Sequence, residues 1–326
     1  MPNVSGRTLV ALLAALWAAA VPATATAQQY PSKSIAILTS VAPGTPFDML
    51  GRIFAERLRQ KLGQPVLLEN VTGGQGLIAT QRALNAKSDG YTLLIASGGL
   101  TTSPIIVKNA GYKVEDFVPV APLGQVPYIL YVSSKVPATD VPSFMAYLKS
   151  NLKNMNSGIL MTSHLSMVLS RKFGAAAGGE LTEIGYRGSG DMTAALLSND
   201  IQMMATTFSV AGPHLAPDKL KAIGVVADER TANMPDLPTF KELGYPELVT
   251  SIWEGLFAKA DVPADVLAKI RAVSAEILAD PSYLTAMKPT GMEPWNVMPL
   301  EKMQAAIDFD TNRFKNDVEK FKLKIE

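Results

Sequence analysis

No cysteine occurs among the 326 residues. Its absence excludes a disulfide framework, a thiol nucleophile, a zinc–cysteine cluster and a lipidated cysteine behind an export signal. Histidine is almost as scarce, with only His164 and His214. A His/Asp/Glu metal cluster therefore lacks its usual ligands, and neither H-E-x-x-H nor G-x-S-x-G is present, so no metal and no catalytic residue is assigned. Charge of either sign is not in excess: 30 basic residues face 29 acidic ones, which leaves no long-range field to hold nucleic acid or an anionic bilayer. Charge blocks, low-complexity tracts and internal repeats are also missing, so no flexible linker is written into the chain.

What is present begins with an export signature. Arg7 precedes an apolar run from Leu9 to Val21, which Pro22 ends. The run is shorter than the roughly 20 residues a spanning helix needs, and Ala25 and Ala27 supply an A-x-A site. Cleavage after Ala27 and release of a soluble chain into the periplasm are expected, with an uncleaved anchor as the alternative. The remaining chain exceeds what one core usually supports, so two lobes are expected.

Short β-branched or apolar runs alternate with helical patterns: Ile35 to Leu38, Val66 to Leu68, Thr92 to Ala96, Tyr128 to Val132, Ile201 to Ala205, Ala222 to Val226 and Gly255 to Ala258. This alternation predicts an α/β protein with mostly parallel sheets flanked by helices. Leu50, Ile53, Phe54, Leu58 and Leu62 recur at helical steps up to Gly63, behind a start written by Thr45 as cap, Pro46 at the first position and Asp48 three residues after the cap. Pro263 opens another helix that Asp280-Pro281 breaks, and a last helix runs from about Leu300. Without a linker, the chain has to cross between lobes by strands, at Leu123 to Val132 and at Ser251 to Ala258.

Three loops sit between a predicted strand and a helix: Ala42 to Asp48, Thr72 to Gly76 and Ser97 to Thr102. Open α/β sheets bind ligands there, because free N–H groups and the positive end of a helix dipole face one crevice. The glycines Gly44, Gly73, Gly74, Gly76, Gly98 and Gly99 let the backbone approach an anion. Gly74 to Ala79 fits G-x-G-x-x-A, but the next strand ends in Ser97 rather than in an acidic residue, so no dinucleotide and no other cofactor is assigned. Ser163 and His164 adjoin at a helix start, where capping competes with catalysis. Phe47, Phe208 and Trp253 could floor a ligand site or simply pack helix on sheet. Arg187 is the one cation placed near a cleft, with a solvated surface position as the alternative.

These residues resemble the substrate-binding receptors of tripartite tricarboxylate transporters, the Bug-type proteins. The resemblance runs through Tyr30-Pro31-Ser32-Lys33, Pro43 to Asp48, Leu62 to Val66, Asp89 to Leu94, Ser163-His164-Leu165, Tyr186-Arg187-Gly188, Met234 to Thr239 and Trp253 to Leu256. It implies a two-lobed type II periplasmic-binding-protein fold that closes on its ligand like a clamp. The expected division is a signal peptide over 1–27, a first lobe over 28–123, a second lobe over 124–254 and a return to the first over 255–326.

Such receptors hold a carboxylate mainly by backbone amides and hydroxyls. In this chain the resemblance places them at Pro43, Gly44 and Thr45, at Gly73, Gly74 and Gly76, and at Ser97, Gly98 and Thr101, with Asp48, Ser163, His164, Arg187, Gly188 and Thr206 as further candidates. Thr206 and Gln202 stand where the family commonly has aspartate, which favours a ligand without an ammonium group, and Gly158 to Thr162 is shorter and more apolar than usual. A citrate-like acid and an apolar or aromatic acid both stay open. The expected function is a monomeric receptor, not an enzyme, that delivers a small carboxylate to membrane transporter subunits of the tripartite tricarboxylate type and binds no nucleic acid. The alternatives are a secreted hydrolase or isomerase using His164 or Asp48, and a sensory adaptor presenting bound ligand to a membrane kinase.

Overall fold

The computed structural model describes residues 30–161, 164–250, 252–321 and 323, without the side chains of Gln75 and His164. The expected signal segment with its Ala27 cleavage site lies outside these residues, as do Thr162, Ser163 and Ser251. All elements below belong to the unit that runs from Lys33 to Glu326.

The first lobe opens with β1 (Ile35–Thr39), α1 (Pro46–Leu62), β2 (Val66–Asn70), α2 (Leu77–Leu84), β3 (Thr92–Ser97), α3 (Gly99–Ile106) and β4 (Phe117–Val126). The second comprises β5 (Tyr128–Ser133), α4 (Val141–Asn151), β6 (Asn156–Leu160), α5 (His164–Ala176), β7 (Thr182–Tyr186), α6 (Ser189–Ser198), β8 (Met203–Thr207), the single turn α7 (Phe208–Ala211) and β9 (Leu220–Val225). The chain then supplies β10 (Ile252–Lys259), α8 (Ala264–Leu278), α9 (Pro281–Met287) and α10 (Leu300–Phe321).

Two five-stranded sheets result, ordered β2-β1-β3-β10-β4 and β7-β6-β8-β5-β9. The two orders are the same pattern: second, first, third, a visiting strand, fourth. The visitor alone runs against its neighbours, as β10 does against β3 and β4 and β5 against β8 and β9, while β1 pairs parallel to β2 and β3, and β6 to β7 and β8. This is the mostly parallel, two-lobed arrangement of type II periplasmic binding proteins. Pro127 alone separates β4 in one sheet from β5 in the other.

Local sequence explains the elements that build the cleft. Thr45 Oγ1 accepts from the Asp48 N–H at 3.3 Å to start α1, Pro46 takes the first turn, and Gly63 ends it in the left-handed region. Leu50, Phe54 and Leu58 are buried beneath this helix, and Gly51 lets it settle on the sheet, since a Cβ there would lie 3.2 Å from Ile95 and Leu68. On the opposite side, Trp253 and Phe257 of β10 join Trp295, Met303 and Ile307 in a core beneath α10. Tyr131 and Met192 anchor one face of the second sheet, Phe144 and Phe173 the other. A smaller cluster of Ile106, Val168, Phe314 and Val318 joins both lobes through α3, α5 and α10.

Several boundaries differ from the sequence expectation. The strand expected over Ile201 to Ala205 is β8, two residues later, because Ile201 is spent as a core plug against Gly158 before the strand begins. β4, β6 and β7 were absent from the strand pattern, and β10 begins three residues before Gly255. Among the described residues no helix is long and apolar enough to cross a membrane.

Candidate functional site

Between the lobes lies a cavity of about 390 Å³, a size typical of small-molecule sites. The first lobe contributes Val41 from the loop after β1, Phe47 from the first turn of α1, and Ser97, Gly98, Thr101 and Thr102 around the start of α3. Val126, Tyr128, Thr250 and Ile252 line it where the chain changes lobes. The second lobe adds Thr207 at the end of β8 and an apolar stripe of α5, Leu165, Val168 and Leu169.

The turn before α3 is the polar end. Both Thr101 and Thr102 donate their backbone N–H groups to the Gly98 carbonyl, at 3.1 and 3.0 Å, and the Thr101 hydroxyl adds a bond of 2.8 Å to the same oxygen. The first amides of a helix have no intrahelical acceptor and lie at the positive end of its dipole. Gly99 and Leu100 occupy those positions, and Gly99 lines the cavity together with Ser97, so this turn is suited to a carboxylate.

The loop after β1 is organised differently from what its glycine suggested. Gly44 has φ of +81°, and its N–H already donates to Asp48 Oδ2 at 2.9 Å. Asp48 is buried and also accepts from Arg52 at 3.0 Å and Asn70 at 2.7 Å. Burial alone would raise the Asp48 pKa, but the bonds from Arg52, Asn70 and Gly44 outweigh it and hold the carboxyl below its usual range. The Thr45 hydroxyl is likewise used, donating to the Ala42 carbonyl at 2.9 Å while it caps α1. Asp48 and Thr45 thus hold the loop's shape, and the side chains that reach the cavity wall here are Val41 of the loop and Phe47 of the first turn of α1.

The cavity wall also carries charges, and they are internally matched. Lys172 of α5 and Asp317 of α10 form an ion pair of 3.0 Å, both largely buried. Arg313 bonds Asp310 at 2.7 Å and the Val249 carbonyl at 2.7 Å, with Thr250 Oγ1 at 3.3 Å. Asp310 also accepts the Trp253 indole N–H at 2.7 Å. Burial pushes the Asp310 pKa up against the pull of Arg313 and Trp253, and burial pushes Lys172 down against the pull of Asp317.

Of the expected site residues, the structure brings Ser97, Gly98 and Thr101 to the cavity. Gly73, Gly74 and Gly76 form the turn before α2 with φ of +119°, +55° and +97°; neither they nor Pro43, Gly44, Thr45 and Asp48 are in the lining. Thr206 faces the core while its neighbour Thr207 lines the cavity. Arg187 is exposed in the turn after β7, and Gly188 precedes α6. The Ser163 candidate and the His164 side chain lie outside what the structure describes, although α5 does begin at His164. Trp253 is fully buried and stacks on Trp295 at 5.2 Å, and Phe208 packs over Gly212, so of the three aromatic candidates Phe47 alone is in the wall. Sequence reasoning missed Lys172, Arg313 and Asp317. The signal for Arg313 and Asp317 was the spacing of Asp310, Arg313, Phe314 and Asp317 along one helical face; Lys172, on α5, is not part of that spacing.

The sequence profile described as "Tripartite tricarboxylate transporter family receptor" matches residues 50–323. The chain belongs to this family. Among relatives of the receptor, protein BugT of Bordetella pertussis is 28% identical over 283 residues, covering 85% of this chain and 86% of BugT. The solved structure of the periplasmic binding protein BugD is similar with 28% identity and a TM-score of 0.69, covering 90% of this chain and 99% of BugD. MatC from Rhodopseudomonas palustris with bound malate is similar with 26% identity and a TM-score of 0.68, covering 89% and 100% of the two chains.

Proposed function

We propose that this receptor captures a small carboxylate in the cleft between its lobes, outside the cytoplasmic membrane, and delivers it unchanged to membrane subunits of a tripartite tricarboxylate transporter. The observation that carries the reading is the polar turn Ser97-Gly98-Gly99 at the start of α3, which lines a cavity shared by both lobes whose remaining wall combines apolar side chains with charges that are paired to one another. Amides aimed at one point from a partly desolvated turn bind an anion through charge-assisted hydrogen bonds, each contributing about 1.5 to 3 kcal/mol. The malate held by MatC supports the same ligand class. An export signal over residues 1–27, a monomeric state and the absence of a catalytic step belong to the same reading.

Native mass spectrometry of gently purified protein, followed by calorimetry with the acid it retains, tests this. A retained carboxylate that is returned chemically unchanged is the expected result. Gly98 offers a sharp control, because a Cβ added there meets no atom within 4 Å and its backbone is in the right-handed region. A Gly98→Phe chain should keep its melting temperature and lose roughly a hundredfold or more in affinity. Undiminished binding by that variant would move the carboxylate elsewhere, and turnover of the acid would make the protein an enzyme.

A further inference from the structure

We infer that the cleft selects a monocarboxylate with an apolar body, such as an aryl-acetic acid, over di- and tricarboxylates. The inference rests on the reading that the cleft holds a carboxylate at the turn before α3, and it concerns what the rest of the ligand must be.

Beyond that turn both lobes add apolar side chains to the cavity wall. Phe47 and Val41 face it from the first lobe, Leu165 and Val168 from the second, and Ile252 and Phe314 from the crossing and α10. An apolar body gains by leaving water for such a wall, in proportion to the area it buries.

The charges in the wall decide the remaining choice. Among the described lining residues they are Lys172, Asp310, Arg313 and Asp317, two of each sign. Each cation has a carboxylate partner, Lys172 with Asp317 at 3.0 Å and Arg313 with Asp310 at 2.7 Å. Arg313 spends further N–H groups on Val249 and Thr250. A second carboxylate on the ligand would give up its water and find both cations already neutralised. It would gain no net positive charge in exchange, and drawing Lys172 or Arg313 toward itself would weaken the pair that Asp317 or Asp310 relies on while buried, which is unfavourable. A neutral ring or branched chain meets no such obstacle.

Calorimetry on the full mature chain, freed of retained ligand, with phenylacetate, adipate, malate and citrate as probes separates the possibilities. Phenylacetate should bind roughly tenfold or more tighter than adipate, malate or citrate. A dicarboxylate or citrate binding equally well or better overturns this inference while leaving the carboxylate reading standing. Failure of all four acids to bind overturns the carboxylate reading itself and this inference with it.

Asp317→Asn keeps the shape of the side chain and releases Lys172. The preference for phenylacetate over adipate should then narrow by roughly tenfold; an unchanged preference would show that the ion pair is not what excludes the second charge. Should that chain fail to fold, Phe47→Ala gives the independent readout. It should weaken phenylacetate by roughly tenfold and acetate by much less, and an equal loss for both acids would remove the apolar wall as the source of selectivity.

Discussion

Asp48 accepts a hydrogen bond of 2.9 Å from the Gly44 amide, so the carboxylate at the start of α1 fastens the loop that leads into its own helix. The same carboxylate ties in Arg52 of α1 and Asn70 of β2, which makes one buried side chain responsible for the geometry at the ends of two strands.

Asp48→Ala should therefore destabilise the protein by about 1 to 3 kcal/mol, the cost of leaving buried donors unmatched, as read from the urea midpoint. Because the folded pKa of Asp48 lies below its ordinary value, its stabilisation is fully present above that ordinary value and is lost as pH falls through the folded value. Wild type should show this acid-side loss and Asp48→Ala should lack that component of it.

Glu254 behaves in the opposite sense. It is 1% exposed, and its Oε2 has no hydrogen-bond partner among the described residues. Burial pushes its carboxyl well above the usual range, and the charge of Asp48 adds to the shift. In the window from its ordinary value upward to the raised folded value, the folded chain holds a proton that the unfolded chain has released, so stability falls as pH rises. Glu254→Gln should flatten that decline and melt higher than wild type at neutral pH. An identical pH slope in melting curves of the two chains would contradict this.

Glycines of neighbouring loops should respond unequally to a methyl group. At Gly76 φ is +97° and a Cβ would lie 3.2 Å from Ser40 Oγ; Gly76→Ala should cost about 1 to 2 kcal/mol or more. Gly98→Ala, with right-handed backbone and open space, should stay within about 0.5 kcal/mol of wild type. Parallel denaturant titrations check the pair.

The elements legible in the sequence were those whose local chemistry and tertiary role agree. α1 is the clearest, with cap, proline, apolar stripe and terminal glycine all in register. β4 was illegible for a physical reason: Pro119, Pro122 and Gly124 argue against a strand, yet β4 is an edge strand with register shifts, where those residues are tolerated. β7 hides because it is the other sheet's edge, half exposed and without alternation. In the site, the turn at Ser97 and Gly98 could be read from a strand end followed by glycine. The charged wall could not, since Lys172 and Asp317 are 145 positions apart and meet only when α10 lies against α5.

Ligand binding should draw the lobes together about Pro127 and the segment entering β10, because an acid that touches both lobes favours the arrangement in which both contacts are made. Small-angle scattering should show a smaller radius of gyration at saturating acid. An unchanged radius, with the acid-free chain shown to be open, would count against clamp closure.

The place of β10 in the first sheet has a consequence for a chain still being made. The second sheet is contiguous, its five strands all lying between Tyr128 and Val225. The first is not, because β3 and β4 do not pair with each other and the slot between them belongs to residues that come more than a hundred positions after β4. Until Ile252 to Lys259 arrive, the nascent first lobe carries an unfilled strand position flanked by two open edges. The lobe that is first in the sequence is therefore the last to be completed, and the cleft cannot exist before it.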